Sequence, residues 1–267
     1  GLGDVYKRQV LNGNANVSDK TKNKVLVAMK ELDYTPNIFA RGLGLNTMKT
    51  IGIMCSDSSD TYLANAVYYL EQELRRHNYD SILCCTGQDS ETKKKYLDLL
   101  ISKRVDGIIL AGSQFVLNQP GSDNRYILNA AKEVPIVLAN GFLPGKNIYS
   151  VMCNDTAAVY DATSRLIAAG RRQIVYLYTS TSYSGMNKLK GYKNALSDAG
   201  IPLREEWTHL CTKNIQRAKD YLNTLYDKGI SFDAVVTSDD SLAVGAVKYA
   251  YEHRIAIPEQ LQIIGYN

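Results

Sequence analysis

At 267 residues and 45% hydrophobic content the chain can bury more than one core, so a single small domain is excluded and two lobes are expected. No run of about 18 apolar residues could span a bilayer, and the N-terminus lacks an apolar stretch with a small-residue cleavage site; the expectation is a soluble, cytoplasmic protein. The net charge of +4 sits at one end: residues 1–50 hold eight Lys and Arg against four acids. Attraction to a polyanion therefore belongs to that segment, unless its lysines are only a solvated helix face.

In chain order, residues 1–9 fit no pattern and are left unassigned, as sequence foreign to the rest of the chain. Val17-Ser18-Asp19 places a serine N-cap before an amphipathic helix over 19–32, with Val25, Ala28, Met29 and Leu32 on one face. Pro36 interrupts the chain, and 37–43 is a second helical stretch, too short to be stable alone in water. From Thr50 onward, short aliphatic runs at 51–55, 81–86, 105–111, 135–139, 149–153, 173–178, 234–237 and 262–265 read as strands. Helical periodicity falls between them at 62–77, 90–104, 156–169, 188–199, 215–228 and 241–253. This alternation predicts an α/β protein with parallel sheets covered on both faces. Gly170 and Gly200 stand where helices end in a left-handed residue. The five cysteines are odd in number, lack CxxC spacing and lie mostly in apolar runs, which predicts reduced core thiols.

Ligands of open parallel sheets sit beyond the carboxyl ends of strands, which singles out a short set of residues. After the first strand come Asp57, Ser58, Tyr62 and Leu63; after the third, Ser113; after the fourth, Asn140; after the sixth, Ser182, Ser184 and Lys188. The distal part adds Asp239, Asp240 and Asn267. Such a mixture of hydroxyl, amide, charged and aromatic groups suits a sugar, whose hydroxyls need hydrogen-bond partners and whose C–H face needs a ring. Plainer roles stand beside these: Asp240 as a helix cap, Tyr62 as a core residue, Asn140 as a turn former. The pattern of an enzyme is missing, with no GxSxG, HExxH or P-loop and with His77, His209 and His253 scattered. No cofactor or metal site is expected.

One family resemblance gathers these features. Val10-Leu11-Asn12-Gly13, Val-Ser-Asp-Lys-Thr at 17–21, Ala28-Met29-Lys30-Glu31-Leu32-Asp33-Tyr34-Thr35-Pro36-Asn37 and Ala40-Arg41-Gly42-Leu43 resemble the second half of a LacI/GalR-family headpiece with its hinge helix. Lys49-Thr50-Ile51-Gly52-Ile53 then opens a domain similar to the periplasmic sugar-binding fold. The likeness continues through Arg104-Val105-Asp106-Gly107-Ile108-Ile109, Leu189-Lys190-Gly191-Tyr192, Ser238-Asp239-Asp240-Ser241-Leu242-Ala243-Val244-Gly245 and Ile264-Gly265-Tyr266-Asn267.

The resemblance implies two Rossmann-like lobes of periplasmic-binding-protein type I form, preceded by a small helical headpiece remnant. It divides the chain into a remnant of a helix-turn-helix headpiece at 10–45, with a hinge helix near 37–44, and an effector-binding domain at 46–267. A family member would carry its recognition helix before Val10 and would continue beyond Asn267 to complete the second lobe. The implied function is a ligand-responsive, DNA-binding repressor that senses a sugar or related metabolite and works as a homodimer on operator DNA. A transporter's solute-binding protein, the alternative of the same fold, would lack residues 17–45. By resemblance the effector is met by Asp57, Tyr62, Leu63, Asn140, Ser184, Lys188, Asp239 and Asn267. Lys188 stands where the family has Arg, so a point charge replaces a fork, and Asp239 is expected to compensate by pairing with it. DNA contacts are implied for Ser18, Tyr34, Asn37, Ala40, Arg41 and Leu43, with Leu43 either wedged into a minor-groove step or packed on the effector domain.

Overall fold

A computed structural model of the chain describes Val10 and residues 17–32, 47–117 and 123–266. The first described helix, α1 (Asp19–Glu31), starts at the Ser18 cap, whose Oγ accepts the Thr21 N–H. Only Thr21, Val25 and Met29 are half-buried, at helical spacing, whereas Ala28 is exposed and Leu32 is 78% exposed. The predicted four-residue face is therefore narrower than expected among the described residues.

The rest forms two parallel sheets. The first lobe runs β1 (Thr50–Cys55), α2 (Thr61–Arg76), β2 (Asp80–Cys85), α3 (Ser90–Ser102), β3 (Gly107–Ala111), α4 (Arg125–Ala130), β4 (Ile136–Ala139) and β5 (Ile148–Val151). Its sheet order is β2-β1-β3-β4-β5. The second lobe runs α5 (Asp155–Ala168), β6 (Ile174–Tyr178), α6 (Tyr183–Asp198), β7 (Thr208–Leu210), α7 (Ile215–Asp227), β8 (Ala234–Thr237), α8 (Asp240–Glu252) and β9 (Gln262–Ile264), with sheet order β7-β6-β8-β9. All strand pairs among the described residues are parallel. The α/β reading with two Rossmann-like lobes holds.

Period-two burial explains the second lobe's two-sided core. Val175 and Leu177 point to one face, against Leu222 of α7 and Ala246 of α8. Ile174 and Tyr176 point to the other, against Val159 of α5 and Leu189, Tyr192 and Leu196 of α6. A fully buried leucine or isoleucine contributes about 1.5–3 kcal/mol, so these stripes hold the second lobe's helices to both faces of its sheet. The helices α5 and α6 pack backbone to backbone at Gly191, where an added Cβ would strike the Thr156 carbonyl oxygen.

The same device anchors both sheets. Asp106, before β3, accepts the N–H groups of Met48 and Thr50 at 3.1 and 3.0 Å, pinning the chain as it enters β1. Asp233, before β8, accepts those of Arg172 and Gln173 at 2.9 and 3.0 Å, ahead of β6.

Gly170 and Gly200 adopt φ of +92° and +67°, as expected for helix ends. Three differences from the expected elements bear on function. β7 and α4 have no counterpart among the predicted elements, and α6 begins at Tyr183 instead of 188, so Ser184 and Lys188 lie on its first turns. All five cysteines are free, but Cys85 and Cys153 are exposed, so the core holds only Cys55, Cys84 and Cys211. Among the described residues, no helix is long and apolar enough to cross a membrane.

Candidate functional site

In each sheet the chain turns in opposite directions from neighbouring strands: β1 lies between β2 and β3, and β6 between β7 and β8. Such switch points open a crevice at the carboxyl ends of strands. The two crevices face one another and form one cleft of about 490 Å³, a volume suited to a small metabolite.

The first lobe supplies Asp57, Tyr62, Leu63 and Asn140, together with Ser56, Asp60, Gln88, Ser113 and Gln114. Asp60 caps α2, its Oδ1 accepting the Leu63 N–H at 3.0 Å, which presents the first turn of that helix to the cleft. Tyr62 is 43% exposed, so it is not a core residue. Asn140 follows β4 with φ +67°, a conformation asparagine tolerates, and it also lines the cleft, so it serves as turn and wall together. Asp57 is held below the usual carboxylate range by the Ser59 hydroxyl and N–H.

The second lobe supplies Ser184, Lys188 and Asp239, with Thr179, Ser180, Ser182, Thr212, Lys213 and Ser238. Ser182 caps α6 and its hydroxyl lies 2.9 Å from that of Ser113, joining the lobes. Lys188 is only 8% exposed; burial pushes its amine below the ordinary value, against the pull of Asp155 and Asp239. It donates to the Ser238 carbonyl at 3.1 Å and lies 3.7 Å over the Tyr266 ring.

The expected Lys188–Asp239 pair is not formed. Asp239 caps α8 and pairs with Lys213 at 2.8 Å. Burial pushes its carboxyl up, but Lys213 and the Ser241 hydroxyl and N–H bring it below the usual range. The Lys213 side chain is 42% exposed and reaches Asp239 from outside, whereas the buried Lys188 is engaged by the Ser238 carbonyl. Asp240, read as a possible cap, sits in the first turn instead.

Ser58 and Asp240 are not among the residues lining this cleft. Asn267 lies outside the described residues, as do Tyr34, Asn37, Ala40, Arg41 and Leu43. Ser18 is exposed and spends its oxygen on its own helix, 3.0 Å from Thr21 Oγ1. Besides Ser56, Gln88, Gln114, Thr179 and Ser180, sequence reasoning misses Asp60, Thr212 and Lys213. The last two follow β7, so the strand-end rule would find them once that strand is recognised.

Residues 48–266 match the family described as periplasmic binding proteins and sugar binding domain of LacI family, and residues 9–37 match bacterial regulatory proteins, lacI family. The chain belongs to the LacI family. As a member it is a transcriptional regulator with a sugar-binding-type domain. It is 58% identical over 259 residues to an HTH-type transcriptional regulator of Lachnoclostridium phytofermentans, covering 97% of this chain and 78% of that protein. It is 30% identical over 261 residues to the ribose operon repressor of Haemophilus influenzae, covering 97% and 76%. Among solved structures, the lac repressor dimer bound to operator and the anti-inducer ONPF superposes with a TM-score of 0.84 at 20% identity, over 98% of this chain and 78% of that one. The LacI-family relatives are transcriptional regulators, not enzymes.

Proposed function

We propose that the cleft is the effector site of a cytoplasmic, sugar-responsive repressor that acts as a homodimer on operator DNA. The observation that carries this reading is the convergence of Asp57, Tyr62, Leu63 and Asn140 from one lobe with Ser184, Lys188 and Asp239 from the other on a single cavity. Asn267 is assigned to the same site by its place after β9. Hydroxyls dominate the lining, and Tyr62 offers a ring face for sugar C–H groups. Lys188 is buried and held by the Ser238 carbonyl, and Lys213 is neutralised by two carboxylates, so an uncharged sugar is favoured over a phosphorylated one. Solved structures of similar fold include a transcriptional regulator CelR–cellobiose complex and a LacI family transcriptional regulator from Lactobacillus casei with bound sucrose.

The domain division at 10–45 and 46–267 assigns DNA contact to Ser18, Tyr34, Asn37, Ala40, Arg41 and Leu43. A hinge near 37–44 orders on the operator, and Leu43 enters a minor-groove step. Effector binding biases the lobe arrangement and thereby the hinge, a coupling of about 1–3 kcal/mol. The dimer surface is assigned to exposed apolar side chains: Tyr68, Tyr69 and Leu83 on the first lobe, Val244, Val247 and Tyr251 on α8.

Thermal-shift screening against neutral sugars, their phosphate esters and nucleosides tests the effector class. A ligand at about 100 times its Kd stabilises by about 2.7 kcal/mol. Stabilisation by a neutral sugar is expected; stabilisation by nucleosides alone would reassign the site.

A further inference from the structure

Lys213 reaches across the cleft mouth. Its ammonium lies 2.6 Å from Asp60 Oδ2 on the first lobe and 2.8 Å from Asp239 Oδ2 on the second. Both carboxylates are helix caps that divide their oxygens. Asp60 Oδ1 accepts the Leu63 N–H and Asp239 Oδ1 accepts the Ser241 N–H, leaving each Oδ2 to the lysine. The cation therefore ties the start of α2 to the start of α8, between groups already fixed in direction by their helices. Isolated surface pairs contribute little because two mobile chains must be held still. Here only the lysine is mobile, and the two aspartate side chains are 17% and 11% exposed.

We propose that Asp60, Lys213 and Asp239 form an ionic clasp that holds the two walls of the cleft together and selects what enters. Lys213 and Asp239 belong to the same lobe and move together, so opening breaks the Asp60 arm. Lys213 then stays neutralised by Asp239, while Asp57 and Asp60 face it from the other wall. Among the described residues the opened mouth presents carboxylates and the paired Lys213 to an incoming phosphate or carboxylate, with Lys188 buried behind them, and admits uncharged, hydroxyl-rich molecules. The selection rests on the effector reading of the cleft; the clasp does not.

Hydrogen exchange of the ligand-free chain separates the two. Asp60→Asn keeps an acceptor for the Leu63 N–H and removes the charge, and Lys213→Met keeps the apolar stem. Either change is expected to speed exchange at cleft-wall amides 112–114 and 180–184 by about fivefold. High salt should do the same to the wild type. The double variant should exchange no faster than either single one, and Lys213→Arg should stay at the wild-type rate. Unchanged protection in the single variants, additive effects, or acceleration spread equally over β3 and β6 would overturn the clasp. A chain that passes this test and binds no sugar would retain the clasp and lose the effector reading.

Discussion

Tyr266 supports Lys188 on the face of its ring, 3.7 Å from the ammonium, while its hydroxyl donates to Asp155 Oδ1 at 2.6 Å. One side chain thus links the chain after β9, the start of α5 and a cleft-lining cation. Asp155 is 3% exposed, so losing its donor is costly. Tyr266→Phe keeps the ring and removes the bond; it should destabilise by about 1–3 kcal/mol, lowering the melting temperature in calorimetry by roughly 2–4 °C per kcal/mol. An unchanged melting temperature would mean that the bond contributes nothing.

Lys188 predicts a pH signature. Burial holds its amine below the ordinary 10.5, so the folded chain gives up this proton more readily than the unfolded one. At pH below the folded-state value the cost of burying the charge is present in full; it fades as pH rises through that value towards 10.5. Lys188→Met lacks that cost. Its stability relative to the wild type should therefore fall between neutral pH and about pH 10, in denaturant titrations of both proteins. A difference independent of pH would place the charge in solvent.

Gly191→Ala should be severe. The new Cβ meets the Thr156 carbonyl and lies 2.9 Å from the Tyr160 nitrogen, both backbone, so α5 and α6 must separate. A loss of about 3 kcal/mol or more is expected in denaturant unfolding. Gly170→Ala, at φ +92° with nothing within 4 Å, should cost only backbone strain of about 1–2 kcal/mol. Equal losses would mean that α5 and α6 do not depend on close backbone approach at Gly191.

The assigned dimer surface is open to a charge test. Val247→Glu, on a position 47% exposed in the single chain, should shift the sedimentation equilibrium to monomer with the fold intact by circular dichroism. Leu203→Glu, 46% exposed on a loop outside that surface, is the control. A dimer that survives Val247→Glu needs another interface.

How much of the fold and the cleft is legible in the sequence depends on local signal. Runs such as Ile174–Tyr178 and Ala234–Thr237 announce themselves because strands buried on both faces are continuously apolar. Thr208–Leu210 does not: it is a three-residue edge strand whose apolar packing comes from its flanks, Trp207 and Cys211. Missing it hides Lys213, since the strand-end rule can only be applied to recognised strands. The Lys188–Asp239 pairing fails for a different reason. Strand and helix periods place both residues at one cleft, but the choice of carboxylate among amines is settled by tertiary distances that no local pattern carries.

Ligand recognition between the lobes at Lys188 is tested most directly by the thermal shift of wild type and Lys188→Met with a neutral sugar that stabilises the wild type, each protein compared with its own ligand-free melting. The shift should be present in the wild type and lost in the variant. An equal shift in both would place the sugar elsewhere.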